Sequence, residues 1–213
     1  MQISIRGNIL HILPQRALLW KSKKTLIISD LHLGKISHFR KNGIGIPSSA
    51  RFNNLIQLEK LILSHHPKKV WFLGDLFHST YNLEWDEFGK FVSAFENVDF
   101  TLVEGNHDIL KPHHYARYNI KTTPEIRTDE LLFTHEPDDS GSDHYNIYGH
   151  IHPGVRLTGK GRQSMKLPCF YFGQNHGILP AFSDLSGKYI LKPKLGDRIF
   201  ITTNDEVINV TAE

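Results

Sequence analysis

Five short polar motifs in this sequence combine aspartate, histidine and asparagine, and each follows a short apolar run. They are Asp30-x-His32, Gly74-Asp75, Gly105-Asn106-His107-Asp108, His135, and Gly149-His150-x-His152. Open α/β sheets place their ligands at the carboxyl ends of strands. Because imidazole and carboxylate groups bind divalent cations, we interpret the motifs as parts of one metal site.

The spacing within the motifs favours shared ions. In D-x-H and H-x-H an extended backbone directs both side chains to the same side, so each pair can address one ion. A glycine precedes Asp75, Asn106 and His150. Glycine lets the backbone turn sharply and approach an ion without a Cβ in the way.

The candidate ligand set is too large for a single ion. Its seven members exceed what one first-row ion normally takes from protein, but they divide into two sets if one carboxylate bridges. We predict that Asp75 bridges, because it is central in the order. Imidazole with carboxylate suits Mn, Fe or Zn, and the absence of thiolates argues against a structural zinc site. The candidate ligands are Asp30, His32, Asp75, Asn106, His135, His150 and His152.

Two regions of different pattern must position these motifs. The first alternates strands with amphipathic helices, which predicts α/β layering: strands at 2–6, 9–13, 17–20, 25–29, 70–73 and 100–103, and helices at 49–66 and 85–95. The second is rich in β-strands, predicted at 131–133, 146–148, 155–157, 166–172, 189–191, 199–202 and 207–210. With no internal repeat or linker-like segment, residues 1–213 are predicted to form a single domain.

Composition excludes several classes of protein. The net charge of +3 is too small for the dense basic stripe of a dedicated DNA-binding module. Cys169 is the only cysteine, which excludes an intrachain disulfide and suits a reducing compartment. No apolar run approaches the roughly 20 residues that cross a bilayer, and the first thirty residues lack the pattern of a secretory signal. We therefore expect a cytoplasmic protein with no membrane partner.

The motif series resembles the complete signature of the calcineurin-like metallophosphoesterases. It reads DLHLG at 30–34, GDLFHS at 74–79, GNHD at 105–108, His135, and GHIH at 149–152. The resemblance implies a four-layer α/β/β/α sandwich and a phosphoesterase with two divalent ions, for which we predict manganese ahead of iron or zinc. It implies that one ion is held by Asp30, His32, Asp75 and His152, and the other by Asp75, Asn106, His135 and His150.

The same resemblance implies the residues that act beside the ions. His107 is the histidine that binds no metal and lies near the scissile phosphate, where it protonates the departing alkoxide or neutralises phosphoryl charge, with Asp108 orienting it. His78 of GDLFHS lies close to Asp75 in the chain. We predict that it either orients a metal ligand or contacts substrate.

A finer resemblance, to the bacterial DNA ligase-associated metallophosphoesterases (ligase-associated DNA damage response endonucleases), covers nearly the whole chain. It rests on LHLGK at 31–35, GIGIPSSAR at 43–51, GDLFHS, GHIHP at 149–153, GRQ at 161–163, LPCF at 167–170 and LPAF at 179–182. It implies a nuclease acting on DNA in repair, functionally associated with a DNA ligase and a helicase. Arg51 and Arg162 fall within these motifs and are predicted to bind substrate, in a groove with Arg40, Lys41, Lys160 and Lys166.

Two other functions stay open at this point. One is a nucleotide pyrophosphatase that acts on a small diphosphate. The other is a scaffold that binds metal without catalysis, which the filled ligand positions disfavour. The pairs His65-His66 and His113-His114 are predicted to lie on exposed helix ends without a function, and Cys169 is predicted to be a buried structural thiol.

Overall fold

A seven-stranded sheet forms the first half of the molecule. The structure, a computed structural model, describes residues 1–35, 52–159, 161, 163–203 and 205–211. The sheet contains, in spatial as well as chain order, β1 (Gln2–Ile5), β2 (Asn8–Leu13), β3 (Ala17–Trp20), β4 (Thr25–Ile28), β5 (Lys69–Leu73), β6 (Asp99–Val103) and β7 (Lys121–Thr123). Strands β1 to β4 are antiparallel, whereas β4 to β7 are parallel.

Helices cover one face of this sheet because alternate strand residues point to them. They are α1 (Asn53–His65), α2 (Leu83–Ser93) and the short α3 (Pro112–Ala116), and a 3-10 helix spans Lys21–Lys23. Phe72 of β5, for example, packs with Leu58 of α1 and Phe88 of α2 in one buried cluster. Asn82 caps the amino end of helix α2, and its side chain accepts a hydrogen bond from the Glu84 N–H at 2.8 Å.

A nine-stranded sheet forms the second half. Its strands are β8 (Ile126–Arg127), β9 (Leu131–Phe133), β10 (Tyr145–Tyr148), β11 (Pro153–Thr158), β12 (Ser164–Phe172), β13 (His176–Ile178), β14 (Tyr189–Ile190), β15 (Arg198–Thr202) and β16 (Val207–Asn209). Strand β10 lies between β9 and β13 and is parallel to both.

The two sheets pack face to face over a core rich in aromatic residues. Trp20 and Trp71 of the first sheet and Phe133 of the second form a three-way contact, with ring centroids 5.1 to 6.4 Å apart. Because side chains alternate along a strand, Phe170 and Phe172 enter this core, whereas Cys169 and Tyr171 lie in a separate buried cluster on the other face of their sheet.

The predicted α/β sandwich with two sheets is confirmed. Every predicted strand, from 2–6 to 207–210, matches an observed strand to within a few residues. The same is true of the predicted helices 49–66 and 85–95, although residues 49–51 lie outside the described residues. The sequence analysis missed α3, β7, β8 and β13, since two to five residues carry too little periodicity to be recognised. In the described residues after Ala116 we find strands and loops but no helix. No helix of the described ranges is long and apolar enough to span a membrane.

Candidate metal centre

The predicted ligands meet where five parallel-paired strands end. Strands β4, β5 and β6 are neighbours in the first sheet, and β9 and β10 are neighbours in the second. Each ligand follows the carboxyl end of one of them: Asp30 and His32 after β4, Asp75 after β5, Asn106 after β6, His135 after β9, and His150 and His152 after β10. Parallel pairing brings these ends to one edge of each sheet, and the stacking of the sheets brings the two edges together.

Backbone hydrogen bonds join the loops that carry the ligands. The N–H of His32 donates to the carbonyl of Asp75 at 2.9 Å, and that of Gly149 donates to the carbonyl of His135 at 3.1 Å. Across the sheets, the His150 N–H donates to the fully buried carboxylate of Asp30, 3.0 Å from Oδ2. The ligand positions are therefore fixed by the main chain of both sheets.

Five candidate ligands have left-handed backbone conformations. The φ angles are +54° at Asp30, +49° at His32, +52° at Asp75, +62° at His150 and +51° at His152. The expectation that the D-x-H and H-x-H pairs are extended is therefore wrong. Non-glycine residues in this region cost roughly 1–2 kcal/mol each, and such strain persists where the surrounding structure enforces it, typically at functional sites.

One group of ligand atoms surrounds the space between Asp30 and His32. The Nε2 atom of His152 lies 3.2 Å from Asp30 Oδ1 and 3.2 Å from His32 Nε2. The three side chains can hold a metal ion, since one ligand atom from each lies within 4.8 Å of the others.

A second group surrounds His135. Its Nε2 lies 3.1 Å from Asn106 Oδ1, 3.1 Å from His150 Nδ1 and 3.4 Å from Asp75 Oδ1. The other carboxylate oxygen of Asp75, Oδ2, lies 3.8 Å from His32 Nδ1. Asp75 therefore lies between His135 and His32, with one carboxylate oxygen directed to each imidazole.

The donor set fits divalent ions. Two nitrogen or oxygen ligands bound at about 2.0–2.2 Å to one ion stand roughly 3 Å apart, close to the 3.1 to 3.4 Å separations found here. His32 Nδ1 is buried and has no hydrogen-bond partner among the described residues. Burial, with a smaller effect from the charge of Lys35, lowers the pKa of His32 to about 2. The imidazole is therefore neutral, which is the form that binds a cation.

The carbonyl of Leu73 orients His135. It lies 3.0 Å from His135 Nδ1, and because a carbonyl only accepts, the proton must be on Nδ1. Nε2 then keeps its lone pair and faces Asp75 and Asn106. A metal-binding histidine commonly makes such a bond with its other nitrogen. The sequence offered no sign of this partner, because any residue at position 73 has a carbonyl.

All three glycines that precede a candidate ligand lie against candidate ligands, and a Cβ at Gly105 would lie 2.6 Å from Asp75 Oδ1. A Cβ at Gly74, where φ is +77°, would collide with the imidazole of His135. A Cβ at Gly149 would lie 2.5 Å from Asp30 Oδ2 and 2.6 Å from Ser29 Cβ. The glycines are therefore needed for the close approach of the backbone to the ligands themselves.

Asp108 joins two of the metal-site loops. Its Oδ1 accepts hydrogen bonds from the N–H groups of Leu76 and Phe77, at 2.9 and 3.1 Å, and its Oδ2 accepts one from Gly105 at 2.9 Å. Burial raises the pKa of Asp108 to about 6, opposed by these N–H donors. The hydrogen bonds described for this carboxylate all come from backbone N–H groups. Asp108 therefore holds the loop of the GNHD motif against the loop of the GDLFHS motif. Its predicted action on His107 stays a prediction.

His78 and His107 lie at the edge of the same site. Their ring centroids are 3.9 Å apart, and that of His78 is 5.4 Å from His32. The His107 N–H donates to Asp75 Oδ1 at 3.1 Å. With His32 and Asp75, His78 forms a further group that can hold a metal ion, an arrangement the sequence analysis did not predict.

Lys35 is a functional candidate that the sequence analysis missed, although it belongs to the LHLGK motif. Burial lowers its pKa, and the charges of Asp75 and Asp30 oppose that shift. Its ammonium group is therefore near both carboxylates.

The predicted substrate residues Arg51 and Arg162 lie outside the described residues, as do Arg40, Lys41 and Lys160, whereas Lys166 is exposed on β12.

Comparisons with known proteins give a family for the chain and a solved structure of similar fold. Comparison of the sequence with curated proteins finds no match. The fold resembles the crystal structure of Pseudomonas putida nuclease MPE, with a TM-score of 0.83, 24% identity and 99% of each chain covered. The Escherichia coli phosphoesterase Yfce aligns with a TM-score of 0.43 and 16% identity, over 88% of this chain and 92% of its own. The family model described as calcineurin-like phosphoesterase matches residues 23–170, and the chain therefore belongs to this family of metal-dependent phosphoester hydrolases.

Proposed function

We propose that this protein is a phosphodiesterase with two divalent ions that cleaves DNA as a nuclease. The observation that carries the proposal is the position of Asp75, whose two oxygens face one histidine from each ligand group, 3.4 Å from His135 Nε2 and 3.8 Å from His32 Nδ1. The nuclease activity named for the Pseudomonas putida protein of similar fold supports the choice of a nucleic acid.

The ligand atoms divide as two sets that share Asp75. One set would consist of Asp75 with Asp30, His32 and His152. The other would consist of Asp75 with Asn106, His135 and His150. Both sets contain imidazole and oxygen ligands, which suits manganese, iron or zinc, and we propose manganese. When bound, two such ions supply Lewis acidity and an activated water for in-line attack on a phosphodiester.

The chain itself supplies the acid and holds it in position. The hydrogen bond from the His107 N–H to Asp75 Oδ1 ties the GNHD loop to the shared carboxylate. The imidazole of His107 then lies beside the metal centre, where it can donate a proton to the departing alkoxide oxygen. Asp108 acts by fixing this loop through Leu76, Phe77 and Gly105.

The substrate is proposed to be DNA in a repair pathway of a bacterium, with a functional association to a DNA ligase and a helicase. The motifs shared with the ligase-associated subgroup support this proposal, and Arg51, Arg162 and His78 are its proposed substrate contacts. His78 is the one of these three that lies in the described residues, and its contact with His107 favours the assignment.

A substrate panel tests the proposal. The purified protein with Mn²⁺ is incubated with labelled single-stranded, nicked and duplex DNA, with nucleotide diphosphates, and with bis-p-nitrophenyl phosphate. Asp75→Ala, purified in parallel, controls for contaminating nucleases. Metal-dependent DNA cleavage by the wild type alone supports the nuclease. Turnover of a diphosphate with intact DNA would instead identify a nucleotide pyrophosphatase, and no hydrolysis of any substrate would leave only a scaffold.

A further inference from the structure

Three aromatic rings contact one another in series on the surface of the protein. The ring of Tyr81 stacks on that of His114, with centroids 4.7 Å apart and an interplanar angle of 25°. His114 in turn contacts His113, with centroids 4.1 Å apart. We call Tyr81, His114 and His113 the ring column. Tyr81 is 43% exposed and His113 is exposed, so solvent reaches the rings at both ends of the column.

The ring column is built from the two loops that carry His78 and His107. Tyr81 comes three residues after His78, a distance that the chain spans in at most about 11 Å. His113 and His114 lie in α3, a few residues after His107. Because His78 and His107 lie in contact at the edge of the metal centre, both segments of the column begin from that edge.

Asp86 holds the exposed tyrosine in place. The hydroxyl of Tyr81 donates to Asp86 Oδ2 at 2.7 Å, and the hydroxyl of Tyr118 donates to Oδ1 at 2.7 Å. Arg117 lies 3.6 Å from the same carboxylate. An exposed aromatic ring with a fixed orientation loses little conformational entropy when a ligand stacks on it.

Two cationic side chains and the carboxylate of Asp86 surround the column. Desolvation lowers the pKa of His114, and the charges of His113, Lys111 and Arg117 lower it further, opposed by Asp86. The cationic side chains of Lys111 and Arg117 therefore lie close to the rings. Flat rings flanked by cations match the alternation of bases and phosphates along a nucleic-acid strand.

We propose that the ring column stacks on a nucleobase of a single-stranded nucleic acid next to the phosphodiester in the metal centre. This inference rests on the proposed nuclease function and names the form of substrate that the site accepts. Within a duplex both faces of a base are already stacked on neighbouring bases, so an aromatic column serves an unpaired strand.

The first test separates binding of the strand from the chemistry of the site. Tyr81→Ala and His114→Ala are compared with Tyr81→Phe, which keeps the ring, and with His65→Ala, an exposed histidine at the opposite end of the sheet. We expect both ring variants to raise Kd for a labelled single-stranded oligonucleotide in EDTA, and KM for its cleavage with Mn²⁺. The expected change is on the order of 5- to 100-fold, the range for loss of one base–aromatic stack. Turnover of bis-p-nitrophenyl phosphate and the melting temperature stay unchanged.

A second test locates the base that stacks on the column. Single abasic sites are placed at successive positions around the cleaved bond. At one position the abasic substitution weakens binding to the wild type and to Tyr81→Phe but not to Tyr81→Ala, because that variant has already lost the stack. If every abasic position affects the wild type and Tyr81→Ala equally, the ring does not contact a base.

The outcomes also distinguish this inference from the proposed function. If the wild type cleaves no DNA, the nuclease proposal fails. If the wild type cleaves single-stranded DNA and Tyr81→Ala binds and cleaves it equally well, the nuclease stands and the ring column is not a binding platform. An equal loss on bis-p-nitrophenyl phosphate would show that the substitution disturbs the metal centre, and would also overturn the inference.

Discussion

The imidazole rings of His78 and His107 lie 3.9 Å apart between centroids, although they belong to loops that follow different strands. His107 is also 6.5 Å from His32, measured between centroids. It therefore lies next to the candidate ligands, and its backbone N–H donates a hydrogen bond to Asp75 Oδ1. This is the position required of an acid that protonates a leaving group beside the ions.

We expect His107→Ala to reduce cleavage of an unactivated dinucleotide more than cleavage of bis-p-nitrophenyl phosphate. An alkoxide needs a proton to depart and p-nitrophenolate does not, and general acid catalysis typically contributes about 10²- to 10⁴-fold. The measurement is kcat/KM on both substrates, with the metal content determined to show that the ligands are intact. Equal losses on the two substrates would exclude the leaving-group role.

Metal stoichiometry tests the division into two ligand sets. His135→Ala and His152→Ala are each expected to bind one ion tightly, because each removes a ligand from one set. Asp75→Ala is expected to weaken the binding of both ions, because its carboxylate faces one histidine from each set. Calorimetric titration with Mn²⁺ and elemental analysis measure the result. A wild type that binds a single ion would contradict the dinuclear centre.

Gly74→Ala is expected to reduce metal affinity as well as stability. The added Cβ would collide with the ring of His135, and φ at Gly74 is +77°. Gly141→Ala is the matched control, since its φ is +76° but nothing lies within 4 Å of the added Cβ. The strain common to both is about 1 kcal/mol of unfolding free energy. Denaturant unfolding with and without Mn²⁺ separates the effects, and equal metal affinities for the two variants would contradict the role of Gly74.

Asp108→Asn is expected to destabilise the protein and to impair all substrates alike. The new amide group faces backbone donors at Leu76, Phe77 and Gly105, and a buried donor without an acceptor costs about 1–3 kcal/mol. Asp138→Asn is the control, because its carboxylate accepts from the Ser140 N–H on the surface and its loss is expected to cost less than about 0.5 kcal/mol. A normal melting temperature with a selective loss on the dinucleotide would instead support a direct action of Asp108 on His107.

The residue types, their order and the apolar runs before them were sufficient to predict α/β layering and the grouping of the candidate ligands, whereas the sandwich of two sheets was implied by the family resemblance. Buried parallel strands such as β4 and β5 have an unmistakable pattern, and the ends of parallel strands must meet at one edge. Asp30, Asp75 and Asn106 could therefore be placed together before any contact was known. Their roles as ligands stay predictions that the stoichiometry experiment tests.

Tertiary structure alone decided how the side chains reach one another. The left-handed backbone at Asp30 and His152, the bond from His135 to the Leu73 carbonyl, and the three amides bound by Asp108 depend on contacts between distant segments, and a local pattern contains no record of them. The same holds for Tyr81 and His114, which sequence reasoning left without a function. Tyr81 and His114 stack because the segments that follow β5 and β6 start from neighbouring strands. The pairing of β5 with β6 in the sheet makes these strands neighbours.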